Sequence, residues 1–279
     1  MSAFPKEGIW TLPITTEANL PRKVLGNDLS ANMPTFVPPN VKFEVDDVES
    51  EWLHGEKFSW IFCRYMAASI HDWSKLVSNI YGYVLLKTGV YCLVSDNSSN
   101  LEPGGWCEFQ DFDLQYYSED GSLAPDDPLF FWISTLLDAA RSLNREPNPG
   151  SQLEGWVKAA GFRNVVHKRY RIPIGAWPLD PALKEIGLLN HAQISGGLEG
   201  LSMRLYTNVL KWKPEEVLLL LDKVRKDLRD PNKHGMFDLY VFLPLCPEVV
   251  ADIRLLAMWC TDRNRSKAVG GIVATSVVG

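Results

Sequence analysis

The sequence predicts a mainly parallel, doubly wound α/β sheet. Three observations carry that expectation. Short apolar runs recur along the chain and end in an acid, an amide or an arginine. Amphipathic segments of helical period lie between several of them. Clusters of Pro, Gly and Asn separate the two kinds of segment.

The first run is "KVLGNDLS" (23–30), where Val24 and Leu25 enter a strand and Asp28 stands at its end. "NVKFEVDDV" (40–48) repeats the scheme. Val41, Phe43 and Val45 alternate, Asp46 and Asp47 follow, and the preceding Pro38-Pro39 pair forces an extended entry. "FSWIFCRYM" (58–66) is a third strand ending near Arg64. "HDWSKLVSNIYGYVLL" (71–86) reads as an amphipathic helix, with Trp73, Leu76, Val77 and Ile80 on one face and Asp72 placed to cap it. In "LEPGGWCEFQDFD" (101–113), Pro103, Gly104 and Gly105 predict a hard turn, and the strand then runs to Gln110 and Asp111.

Beyond it, "DPLFFWISTLLDAARSLN" (127–144) and "SQLEGWVKAAGF" (151–162) are expected helices, the first capped by Asp126 or Asp127 with Pro128 in its first turn. "RNVVHKRYRIPIG" (163–175) is a strand with a basic, solvated face. Residues 180–210 give two helical pieces broken at Gly196-Gly197. Residues 213–230 form a helix whose glutamates lie early and whose basic residues lie late, as the helix dipole favours. "HGMFDLYVFL" (234–243) is the last clear strand.

Composition removes several function classes. The 279 residues carry a net charge of −6, against general binding to nucleic acid or anionic membranes. Five scattered cysteines without a C-x-x-C pair point to a reduced, intracellular protein, cytoplasmic or nuclear, with no disulfide framework. The five histidines show no i,i+4 pair, so no metal site is expected. No G-x-S-x-G nucleophile motif is present. No apolar run approaches the ~20 residues that span a bilayer. In sheets of this class, ligands bind outside the carboxyl ends of the strands, where Asp28, Asp46, Asp47, Arg64, Gln110 and Asp111 collect.

Four stretches resemble, in order and spacing, the fungal S-adenosylmethionine-dependent methyltransferases related to LaeA, the regulator of secondary metabolism. They are "VLGNDLSANMPTFVPPNVKFEVDDVESEW", "FSWIFCRYMAASIHDW", "LEPGGWCEFQDFD" and "PIGAWPLDPALKEIGLLN". The likeness covers roughly residues 7–242. It implies a class I methyltransferase (Rossmann-like) sheet with a helical lid at 180–230, in a single domain over 1–243, and S-adenosylmethionine as methyl donor. It also implies a small-molecule or protein methyl acceptor and regulatory partners of the velvet type. Position by position, Asp28 would accept from the ribose hydroxyls, and Asp47, with Asp46 beside it, would face the adenine amino group. Val48 would pack on the adenine ring, and Arg64 would sit near the methionine end. Gln110 and Asp111 would face the acceptor. No catalytic base is assigned.

The chain departs from the family at three places. Of the glycine loop that should follow the first strand only "EGIW" remains, with Gly8 as its last glycine, and "MSAFPKE" is too short to supply both strand and loop. The central slot of the sheet therefore needs another segment, or more sequence ahead of Met1. The stretch 84–100 is an insert, and 244–279 is a divergent tail expected to be partly disordered. The competing expectation is a methyltransferase-like partner protein without catalysis.

Overall fold

The structure, a computed structural model, describes residues 24–29, 37, 39–52, 58–82, 101–245 and 273–275. Its strands are β1 (Val24–Asp28), β2 (Val41–Val45), β3 (Phe58–Arg64), β4 (Leu101–Tyr117), β5 (Arg163–Pro173), β6 (Met236–Leu245) and β7 (Val273–Thr275). The α-helices are α1 (Trp73–Gly82), α2 (Pro128–Ser142), α3 (Leu153–Ala159), α4 (Pro181–Arg204) and α5 (Pro214–Arg229). A π-helical turn, Leu205–Val209, closes α4.

The strands form one sheet in the order β2-β1-β7-β3-β4-β6-β5. Neighbours from β2 to β4 run parallel, while β6 is antiparallel to both β4 and β5. The central slot between β1 and β3 holds a strand from the tail. Val273–Thr275 pairs with Leu25–Asn27 on one side and with Phe62–Cys63 on the other, parallel to both. Gly8, the insert and the rest of the tail lie outside the described residues.

Side chains alternate across β3 and β4. On one face Ile61, Cys63, Cys107 and Phe109 meet Trp73, Leu76, Val77 and Ile80 of α1 and Leu153 and Val157 of α3. Trp73 and Trp156 stack with ring centroids 5.6 Å apart, tying the two helices together. The expected cap of α1 is present: the Lys75 N–H donates to Asp72 Oδ1 at 2.8 Å. On the other face, the far end of the sheet is covered by a second core around Trp132, Leu198, Tyr206, Val217, Leu221 and Val224. Here α2 and α4 are joined by buried polar bonds. Trp132 Nε1 donates to Ser202 Oγ at 2.8 Å, and Tyr206 Oη donates to the Trp132 carbonyl at 3.1 Å.

Two local expectations are corrected. The Pro-Gly-Gly segment does not separate helix from strand. It lies within β4, whose register against β3 jumps from Phe58↔Leu101 to Trp60↔Trp106, so the extra residues form a bulge in a continuing strand. Nor does Gly196-Gly197 break α4, which runs unbroken through both. Gly197 and Leu198 are buried in the second core, and tertiary packing outweighs the low helix propensity of glycine.

One glycine is required by contact. A Cβ on Gly187 would lie 1.9 Å from the Gly175 carbonyl oxygen, where α4 crosses the end of β5. The Gly175 N–H donates to the Gly187 carbonyl at 3.0 Å, and Asn190 Nδ2 donates to the Pro173 carbonyl at 3.0 Å. Gly187→Ala is expected to push α4 off the strand and cost about 2–3 kcal/mol, in the range of overpacked sites. Denaturant unfolding of the variant checks this.

Candidate functional site

A narrow depression of about 10 Å³ lies at the carboxyl ends of β1, β2 and β3. Asp28, Leu29, Asp46, Asp47, Val48 and Glu49 line one side, and Met66, Ser69 and Ile70 the other. The parallel pairing of β1 with β2 brings the acids together: Asp28 is opposite Val45, and the Asp46 N–H donates to the Asp28 carbonyl at 3.1 Å. Asp46 Oδ1 accepts from the Asp47 N–H, and Asp47 Oδ1 from the Glu49 N–H, each at 2.9 Å. These bonds orient both carboxylates. Glu49, which the sequence did not single out, receives the N–H groups of His71 and Asp72 at 3.0 and 2.9 Å and so ties the β2 loop to the head of α1.

The loop after β3 forms the opposite wall, and its backbone is unusual. Tyr65 and Ala68 have φ of 57° and 58°, a left-handed conformation that non-glycine residues seldom adopt. Asp111 of β4, 1% exposed, meets this loop. Its Oδ2 accepts from the Met66 N–H at 2.7 Å, and its Oδ1 from the N–H groups of Ala67 at 3.1 Å and Phe112 at 2.9 Å. Burial pushes the Asp111 carboxyl up to about 7, against the pull of these three donors. From behind, the Ala68 N–H donates to the Glu146 carbonyl at 2.9 Å, and Arg145 donates to the Ser69 carbonyl.

Arg64 is not in the depression. Its guanidinium lies 5.2 Å from the Phe62 ring centroid and 4.9 Å from that of Tyr65, with Glu108 its nearby countercharge. Burial pushes the Glu108 carboxyl up, while Gln110 and Arg64 pull it down. Gln110 Nε2 donates to Glu108 Oε1 at 2.5 Å. The structure thus brings Asp28, Asp46, Asp47 and Val48 together, puts Arg64 beside Glu108, and turns Asp111 toward the loop after β3.

A second, more polar cavity of about 440 Å³ lies beyond that loop, where β4, β6 and β5 end. Asp113, Tyr117, Glu146, Asn148, Arg169 and Asp238 are among its walls. Arg169 Nη2 bonds Asp238 Oδ2 at 2.7 Å, and Tyr117 Oη donates to Asp238 Oδ1 at 3.0 Å. Burial holds the Asp113 carboxyl above its usual range, and Asp238 and Glu146 add to this.

Three comparisons with known proteins bear on this arrangement. A family model described as a methyltransferase domain matches residues 5–167. The methyltransferase pytC of Aspergillus terreus is 38% identical over 240 residues, covering 86% of this chain and 69% of that protein. The chain belongs to this methyltransferase family. The secondary metabolism regulator LAE1 of Cochliobolus heterostrophus is 30% identical over 246 residues, covering 86% of this chain and 74% of the other. Among solved structures, phosphoethanolamine N-methyltransferase 2 of Haemonchus contortus, in complex with S-adenosyl-L-methionine, matches at 16% identity with a TM-score of 0.43. That match covers 81% of this chain and 49% of the other.

The likeness to the LaeA-related methyltransferases of fungal secondary metabolism therefore holds, and with it the class I fold and S-adenosylmethionine as the family's donor. The depression suits that donor chemically. Its acids are acceptors, and ribose hydroxyls and the adenine amino group are donors. The family model also spans the segment 5–23 that contains Gly8. Among the described residues, no group of His, Cys, Asp and Glu is placed to hold a metal ion, and no helix is long and apolar enough to cross a membrane.

The left-handed turn after β3 yields a measurable consequence. Ala68→Gly removes the steric cost of φ 58°. It is expected to stabilise the chain by about 0.5–1 kcal/mol, after the extra unfolded-state entropy of glycine is subtracted. A rise in the thermal midpoint checks it.

Proposed function

We propose that the chain transfers a methyl group from S-adenosylmethionine to an acceptor in fungal secondary metabolism or its regulation. One observation carries this reading: Asp28, Asp46 and Asp47 converge in one depression at the carboxyl ends of adjacent parallel strands. Asp28 would take the ribose hydroxyls, Asp47 with Asp46 the adenine amino group, and Val48 the ring. When bound, the donor supplies an electrophilic sulfonium methyl carbon. The chain's part is to orient donor and acceptor in line and to exclude water, an effect worth ~7–11 kcal/mol at its fullest. The Tyr65–Ser69 loop would set the methionine end, and the lid built from α4 and α5 would close over the acceptor. A small molecule or a protein side chain fits this scheme, and an acceptor that is already nucleophilic needs no base.

The second reading is a regulatory partner protein that keeps the scaffold without catalysis. A relative that is itself called a secondary metabolism regulator favours it.

Calorimetric titration with S-adenosylmethionine and S-adenosylhomocysteine separates the two. The first reading expects saturable binding that Asp28→Ala weakens at least tenfold, since hydrogen bonds to a charged group contribute ~1.5–3 kcal/mol. A folded chain that binds neither compound favours the partner protein.

The mixed-charge cavity gives a further expectation. If the acceptor enters by that side, Arg169→Ala lowers turnover while donor affinity stays within about twofold, a shift of ~0.4 kcal/mol. Single-turnover methylation set beside donor titration checks it.

A further inference from the structure

Asp111 is a carboxylate in the wrong place for stability alone. It is 1% exposed and is solvated by backbone N–H groups. Burying a charge in this manner costs free energy even when hydrogen bonds offset part of it. Two of its three donors, Met66 and Ala67, lie between the two left-handed residues Tyr65 and Ala68. Met66, Ser69 and Ile70 in turn form one wall of the donor depression.

We infer that Asp111 is a positioning residue: its carboxylate holds the Tyr65–Ala68 loop in the strained form that completes the donor site. This rests on the donor reading above. The geometry supports it in three ways. The bonds join segments 44 and 45 residues apart in sequence, so they are not local capping. They use both carboxylate oxygens, which an amide cannot reproduce because its nitrogen donates rather than accepts. They also act on backbone amides, so they fix the loop's path whatever its side chains are.

Protonation weakens the hold, because a neutral carboxyl turns one acceptor into a hydroxyl. The titration near pH 7 therefore runs in two directions. The folded value lies above the ordinary 3.8, so Asp111's contribution to stability is full in acid and is lost as pH rises through about 7. Its hold on the loop grows over the same interval.

Around Asp111 stand Asp113 on its own strand, Tyr240 across on β6, Arg64 and Tyr65 ahead of the loop, and Arg145 and Glu146 behind it. Of these, Asp113 adds charge repulsion. His71 lies further along the same segment, its backbone N–H on Glu49. The profile is therefore read as the difference between wild type and Asp111→Asn.

The experiment has two readouts on the full chain. Hydrogen exchange at the Met66 and Ala67 amides should speed up about tenfold or more in Asp111→Asn, the size expected for losing a charge-assisted bond. S-adenosylhomocysteine affinity should fall about tenfold in the variant. In wild type it should weaken as pH drops below 7, while the variant's profile stays flat by comparison. Unchanged exchange at both amides overturns the inference. So does an affinity within twofold of wild type from a folded variant. If Asp111→Asn does not fold, hydrogen exchange in the wild type decides: Met66 and Ala67 amides that exchange as fast as unprotected surface amides overturn the inference. If wild type binds no donor at all, the donor reading and the donor role of Asp111 fall together, whereas donor binding with unaltered exchange sinks Asp111 alone.

Discussion

The carboxylate of Asp111 lies where two requirements of this fold meet. The turn after β3 must lead the chain into α1 and must also place Met66, Ser69 and Ile70 against the depression. Local sequence does not favour that shape, since Tyr65 and Ala68 carry Cβ atoms in a region suited to glycine. The turn is imposed from outside by long-range bonds from β4 and from the Arg145–Glu146 segment. Strain of this kind persists only where the surroundings over-determine it. The order of β3, β4 and the segment after α2 is thus a condition for the site, not a backdrop to it.

The sheet divides the work between its two faces. One face, with α1 and α3, is a dry core around Ile61, Phe109 and Val77. The other carries the α2–α4–α5 layer, stitched by Trp132, Ser202 and Tyr206 and anchored at its edge by Lys233, which reaches Asp127 at 2.5 Å and Asp227 at 2.8 Å. Each layer has its own apolar cluster, so the lid can vary in shape without dismantling the donor side.

Much of this could be read from the chain itself. Alternation at Val41–Phe43–Val45 and the polar ends at Asp28 and Asp46-Asp47 located both the parallel strands and the depression, because a strand's end is a local property. Asp72 as a cap and Pro128 opening α2 were legible for the same reason. What escaped depends on distance. Glu49 looked like an ordinary loop acid, and only folding brings it to the head of α1. The direction Asp111 faces is set by strand parity and by a loop 44 residues away. Gly196-Gly197 misled because helix propensity is a weak local bias, and a buried Leu198 beside it outweighs that bias.

The three-residue strand β7 has a consequence in time. Among the described residues it is the sole ladder link between the β2–β1 pair and the rest of the sheet, and it pairs Leu25 with Val273. A contact so distant along the chain closes a very large loop, and its entropic cost falls before any pairing energy is gained. The β3–β4–β6–β5 half, rich in nearer contacts, can assemble first. Native-state exchange is expected to open at the edge bearing Asp28 and Asp46 before the α2–α4–α5 layer.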